Sequence, residues 1–119
     1  MDSKTVKVGN NDVKSVHIGN NNPLVFIGGP CAIESKDHTL YMAQEIKKIC
    51  DELEIQWIFK SCYDKDCRSS KDSFHGIGKF EGLEILSMVR KQFKIPVVSD
   101  FSDPSWAEDT GKVCDLIQI

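Results

Sequence analysis

At 119 residues the chain has room for one domain and one modest core. It is 40% hydrophobic and 28% charged with a net charge of −3, which excludes a general nucleic-acid binder, since such a protein carries a basic excess. No apolar run approaches the ~20 residues of a membrane span, and the polar, Asn-rich start after Met1 holds no apolar signal region, so a soluble cytoplasmic protein with no membrane partner is expected.

In chain order, Lys4-Thr5-Val6-Lys7-Val8-Gly9-Asn10-Asn11 is echoed by Lys14-Ser15-Val16-His17-Ile18-Gly19-Asn20-Asn21. Each copy alternates β-branched and polar residues and then breaks at Gly-Asn, which predicts an antiparallel hairpin. Leu24–Gly29 reads as a buried-type strand closed by Gly28-Gly29-Pro30. From Asp37 to Leu53, apolar residues Leu40, Ala43, Ile46, Cys50 and Leu53 recur at helical spacing. Gln56–Lys60 is a second strand, followed by a long loop from Ser61 to Gly78. Lys79–Phe93 is a second helix, with Phe80, Leu83, Leu86, Val89 and Phe93 on its apolar side. Ile95–Asp100 is a third strand. Asp103-Pro104 is an N-cap and first-turn proline that start a short helix ending near Gly111. Asp115–Ile119 is a fourth strand.

A hairpin followed by β-α-β-α-β-α-β predicts an α/β protein with a parallel sheet and helical crossovers. The expected organisation is a hairpin over residues 1–22 and a partial barrel over 23–119. Four parallel strands and three helices make about half of a (β/α)8 TIM barrel, which takes ~250 residues when complete. Ending on a strand with no covering helix reads as a barrel truncated after its fourth strand.

The chemistry concentrates in Phe59-Lys60-Ser61-Cys62-Tyr63-Asp64-Lys65-Asp66-Cys67-Arg68-Ser69-Ser70. An apolar strand ends in a lysine, and the loop after it brings a second lysine, an arginine and two hydroxyls. The chain holds only two arginines, Arg68 and Arg90, among its 15 basic residues, so an arginine here is notable. A cationic loop at the carboxyl end of a parallel strand is how α/β proteins hold phosphorylated metabolites. The five cysteines are odd in number and read as free thiols. Cys50 and Cys114 read as small core residues. Cys62 and Cys67 have no matching second pair, which argues against structural zinc. His17 and His38 read as surface residues.

Three strand ends therefore share one mouth: Gly28-Gly29-Pro30-Cys31-Ala32-Ile33-Glu34-Ser35, Lys60 through Ser70, and Ser99-Asp100. On these motifs, and nearly over its whole length, the chain resembles the N-terminal half of the 3-deoxy-D-manno-octulosonate 8-phosphate synthase family, within the class I DAHP synthase superfamily. The resemblance implies a transferase that condenses phosphoenolpyruvate with arabinose 5-phosphate, giving the eight-carbon sugar acid phosphate of lipopolysaccharide synthesis and inorganic phosphate. It implies that Lys60 and Lys65 are catalytic, contacting phosphoenolpyruvate and the aldehyde site. Arg68 and Ser69 would bind the sugar phosphate, in the family often across a subunit boundary, and Asp100 would touch the sugar hydroxyls. Cys31 matches the metal-dependent class, in which a thiolate helps to hold a divalent transition metal. The family's other ligands fall after Ile119, and the alternative for Cys31 is a buried structural cysteine.

The chain also departs from the family. Cys67 stands where the family has asparagine. His75-Gly76-Ile77-Gly78 stands where it has Arg-Gly-Pro-Gly, and Asp100-Phe101-Ser102-Asp103 where it has Asp-Val-His-Glu. These changes bear on sugar-phosphate binding. His75 is either a weaker cation or a plain loop residue. Besides the enzyme, two further readings stand: an inactive truncated remnant, and a half-barrel that acts only by homo-oligomerising or by associating with a complementary half.

Overall fold

The computed structural model describes residues 4–10, 12–64 and 76–119. It holds two sheets. Strands β1 (Val6–Val8) and β2 (Val16–Ile18) form the antiparallel hairpin, with Val8 opposite Val16. Strands β3 (Val25–Gly28), β4 (Gln56–Lys60), β5 (Val97–Asp100) and β6 (Leu116–Gln118) form a parallel sheet in that order. Helices α1 (Lys36–Leu53), α2 (Lys79–Phe93) and α3 (Ala107–Val113) make the crossovers. This is the expected partial α/β barrel, with sequential neighbours in the sheet and a helix in each connection.

Alternation along the strands sorts the two faces of the sheet. Trp57, Phe59 and Val97 point outward and join Leu83, Leu86 and Val89 of α2 and Ala43 of α1 in the main core. Ile58 and Val98 point inward, where Val8 and Val16 of the hairpin cover them. Gln56, at the foot of β4, fixes the hairpin in place. Its amide accepts from the His17 backbone N–H at 2.8 Å and donates to the His17 carbonyl at 3.2 Å, as a neighbouring strand would. On the far side Arg90 of α2 donates to both carboxylate oxygens of Asp115 and, at 2.9 Å, to Asn10 in the hairpin turn. Asp115 also accepts from the Val97 N–H at 3.0 Å, so one carboxylate joins the feet of β5 and β6 to α2. Hydrogen bonding to Asp115 raises the Arg90 guanidinium pKa further above its ordinary value.

Helix signals behave as sequence chemistry dictates. Ser35 caps α1, its hydroxyl accepting from the His38 N–H. Asp103 accepts from the Ser105 N–H ahead of a 3₁₀ turn at Pro104–Trp106, and α3 follows. The proline signal thus starts a tight turn, and the α-helix runs on through Gly111 to Val113. Helices α1 and α2 both end on left-handed residues that are not glycine, Glu54 (φ 54°) and Lys94 (φ 57°). That geometry costs a side-chain-bearing residue roughly 1 kcal/mol or more.

Three burial expectations are corrected. Strand β3 is not a buried strand: Phe26 and Ile27, on its two faces, are 46% and 44% exposed, because among the described strands β3 stands at the edge of the sheet and pairs only with β4. Leu53 is 63% exposed at the last turn of α1, beside its left-handed cap. Phe80 is 84% exposed in the first turn of α2, its ring 4.8 Å from the Lys79 ammonium. Periodicity marks a helical face but not how far the neighbouring layer extends beneath it. Cys50 and Cys114 are buried, as expected.

Candidate functional site

The carboxyl ends of β3, β4 and β5 meet at one edge of the parallel sheet, and a mesh of hydrogen bonds joins the segments leaving them. The Ser61 hydroxyl donates to the Pro30 carbonyl at 2.7 Å, and the Ser61 N–H to Val98. The Cys62 N–H donates to the Cys31 carbonyl, and the Ile33 N–H to the Cys62 carbonyl at 2.9 Å. The Cys62 thiol donates to the Asp64 carbonyl and lies 3.7 Å from that of Asp100. Gly29 is required by this approach, since a β-carbon there would stand 2.1 Å from the Lys60 carbonyl oxygen. Behind the mesh Tyr63 is fully buried, its hydroxyl sharing a 2.8 Å hydrogen bond with Thr110. A β-carbon at Gly82 would stand 2.3 Å from Tyr63 Cβ, so a glycine inside α2 lets the helix lie against this residue.

Of the residues expected from sequence, Lys60, Asp100 and Cys31 sit at this same edge. Lys60 is the last residue of β4 and Asp100 the last of β5; Cys31 follows β3 by three residues. By alternation with Ile58 and Val98, Lys60 and Asp100 lie on the inner face. Lys60 is half-buried and forms no ion pair with a described residue. It lines an open cavity of about 650 Å³ with Ile27, Val98, Leu116 and Gln118. Cys31 is exposed, not buried as its alternative reading as a structural cysteine would have it. Lys65, Arg68 and Ser69 lie outside the described residues, as do Cys67 and His75.

Each crossover helix runs back against its strand, so α1 and α2 start at this mouth. Their N-terminal dipole ends and Lys60 make it favourable to anions. Lys79 is not a free cation here, because it binds Asp109 at 2.8 Å; that hydrogen bond pulls the Asp109 carboxyl below its ordinary range. Among the described residues no group of three or more His, Cys, Asp or Glu side chains could hold a metal ion. Cys31 alone does not make a metal centre, since catalytic sites use about three protein ligands. None of the described helices is long and apolar enough to cross a membrane.

Sequence reading missed Gln118. It pairs with Asp100 in the sheet register and lines the cavity with Lys60. The available signal was one polar residue interrupting the apolar run Leu116-Ile117-Gln118-Ile119.

Comparison with known proteins identifies relatives of the chain. Curated relatives named 2-dehydro-3-deoxyphosphooctonate aldolase include one from Rickettsia felis, 43% identical over 116 residues, and one from Rickettsia conorii, 44% identical over the same length. Both alignments cover 98% of this chain and 40% of the relative. A third, from Protochlamydia amoebophila, is 46% identical over 107 residues, 90% of this chain and 39% of the relative. The chain therefore spans about 40% of the length of the curated relatives it matches. Residues 5–119 match the family described as the DAHP synthetase I family, and the chain belongs to it.

Proposed function

We propose that this chain is the phosphoenolpyruvate-gripping side of a cytoplasmic transferase that joins phosphoenolpyruvate to arabinose 5-phosphate, yielding 3-deoxy-D-manno-octulosonate 8-phosphate. One observation carries the reading: Lys60, without an acidic partner among the described residues, ends an inner-face strand at the helix N-terminal edge of a chain 43% identical to a named aldolase of this kind. In the reaction, C3 of the enol attacks the sugar aldehyde carbon and forms the new C–C bond. The aldehyde oxygen takes the electron pair and then a proton. Water adds at C2, and the C2–O bond to phosphate breaks to leave a ketone and inorganic phosphate.

The chain's residues then have distinct tasks. Lys60 and Lys65 neutralise the phosphate and carboxylate of phosphoenolpyruvate and offset charge growing on the aldehyde oxygen. Arg68 grips the sugar phosphate in bidentate fashion with Ser69 beside it, and Asp100 accepts from sugar hydroxyls. Gln118 is well placed to add a neutral amide to the same wall. Cys31 offers one soft donor to a divalent transition metal. The described residues do not complete such a site, so metal binding requires donors from elsewhere and no step is routed through it.

A second reading is favoured by the open inner face, where Ile27 is 44% exposed. On that reading the chain is inactive alone and works only after homo-oligomerising or pairing with a complementary half. The test is phosphate release from the two substrates by the chain alone, and by the chain mixed with a polypeptide carrying the remaining strands of a curated relative. Turnover is expected only in the mixture, with Lys60→Ala lowering it by on the order of 10²-fold or more. Undiminished turnover in the Lys60→Ala mixture would refute the role of Lys60. Absence of turnover in every mixture with a folded partner would refute the enzyme reading.

A further inference from the structure

At the opposite edge of the sheet lies a cleft of about 210 Å³, where the lead-in to β2 meets the carboxyl ends of α1 and α2. This volume is below the ~300–1,000 Å³ of drug-sized sites and limits an occupant to a small molecule. Trp57 and Ile95, 4% and 7% exposed, line it together with half-buried Phe93. Three lysines, Lys14, Lys47 and Lys94, line it as well, in a chain whose net charge is −3. Lys47 is taken by Asp51 at 2.6 Å. The ammonium groups of Lys14 and Lys94 pair with no described residue.

The nearby carbonyls already have donors. Cys50 accepts from the Ile55 N–H, Asp51 from the Glu54 N–H, Arg90 from the Lys94 N–H, and Lys94 from the Lys14 N–H at 2.8 Å. What remains unmet at the rim is positive charge, and what lies beside it is aromatic and aliphatic surface. Lys94 also keeps its side chain at a left-handed position where glycine would be easiest. We propose that this cleft binds a small monocarboxylate with a flat apolar body, its carboxylate between Lys14 and Lys94 and its body against Trp57 and Phe93. Because Lys14 leads into β2 and Lys94 ends α2, an occupant bridges the hairpin to the barrel wall. The inference stands apart from the reading of the mouth.

The test uses the full chain carrying Trp106→Phe, which leaves Trp57 as its sole tryptophan of the original two. Its fluorescence is titrated with 3-phenylpropionate, 3-phenylpropanol and 3-phenylpropylamine. The acid is expected to give a saturable change with an affinity about tenfold or more above that of the alcohol, and the amine none, because only the acid meets the ammonium pair. Lys14→Glu with Lys94→Glu should weaken the acid about tenfold or more, and the milder Lys14→Gln with Lys94→Gln should weaken it less. Circular dichroism confirms that these variants are folded. Lys60→Ala, at the other edge, should leave the titration unchanged. Equal responses to acid and alcohol, no response to the acid, full affinity in the charge-reversed variant, or loss of binding in Lys60→Ala would each overturn the proposal.

Discussion

The two faces of the parallel sheet are built from neighbouring residues of the same strands, yet they are finished differently. On the outer face Trp57, Phe59 and Val97 are sealed under α1 and α2. On the inner face Ile58 and Val98 are covered only near the foot, by Val8 and Val16, and the upper half opens into the cavity beside Lys60. The outer face therefore carries the stability of this chain. The inner face carries groups whose charge and exposure suit a ligand or a further layer of protein. A residue's face, more than its hydrophobicity, sets what its loss costs.

The sharpest test of that contrast compares truncations on the two faces. Phe59→Ala, at a fully buried outer position, is expected to cost about 3–5 kcal/mol. Ile27→Ala, at an inner-facing position 44% exposed, should cost under about 1 kcal/mol. Urea unfolding at several protein concentrations measures both. Equal costs, or an Ile27 cost that grows with concentration, would mean that another copy covers the inner face.

Next in size is the tie at the foot of the sheet. Arg90→Met leaves Asp115, whose side chain is 6% exposed, without its cation and should cost about 3 kcal/mol. Adding Asp115→Asn should return part of this loss, since an amide can still accept from Val97. A double variant as unstable as the sum of the two singles would show that the pair is not coupled.

At the mouth, Gly29→Ala forces a β-carbon against the Lys60 carbonyl and should cost about 1–3 kcal/mol. The alkylation rate of exposed Cys31 should change with it, because the two segments move apart. An unchanged rate with unchanged stability would mean that the mesh yields freely there.

The smallest effect is one of pH. Burial pushes the Cys114 thiol up from its ordinary 9.0 to about 12. A pKa raised in the folded state contributes stability that is complete below about pH 9 and is lost as pH climbs toward 12. The loss should be on the order of 1 kcal/mol by pH 10, and Cys114→Ala should flatten that part of the curve. Burial also raises the Tyr63 hydroxyl, which adds a loss in the same direction at higher pH. A Cys114→Ala chain with an unaltered pH profile between 9 and 10 would assign the whole slope elsewhere.

Much of this architecture was legible in the sequence. Strand β4 and helix α2 read to the residue, because a lysine stops one apolar run and Gly78 and Lys94 bracket the other. The exposure of Phe26 and Ile27 was not legible in the local run of β3, since apolar residues alone do not say how many neighbours a strand will have. The Arg90 tie was equally hidden, its partners lying 25 and 80 residues away along the chain. At the candidate site Lys60, Cys31 and Asp100 were legible as strand-end chemistry, and the structure brings all three to one edge. Gln118 was not, because a single glutamine in a short strand looks like an ordinary surface residue until the register sets it opposite Asp100.

The bond between Asn10 and Arg90 has a consequence for how the molecule is assembled. It joins residues 80 positions apart, whereas the hairpin closes within its own few residues. During synthesis the hairpin leaves the ribosome before the barrel strands and can zip up at once, but its seat does not exist until β4, α2 and β5 have followed. A segment made before its seat is therefore locked down late, and until then Val8 and Val16 travel uncovered as a sticky surface awaiting their floor.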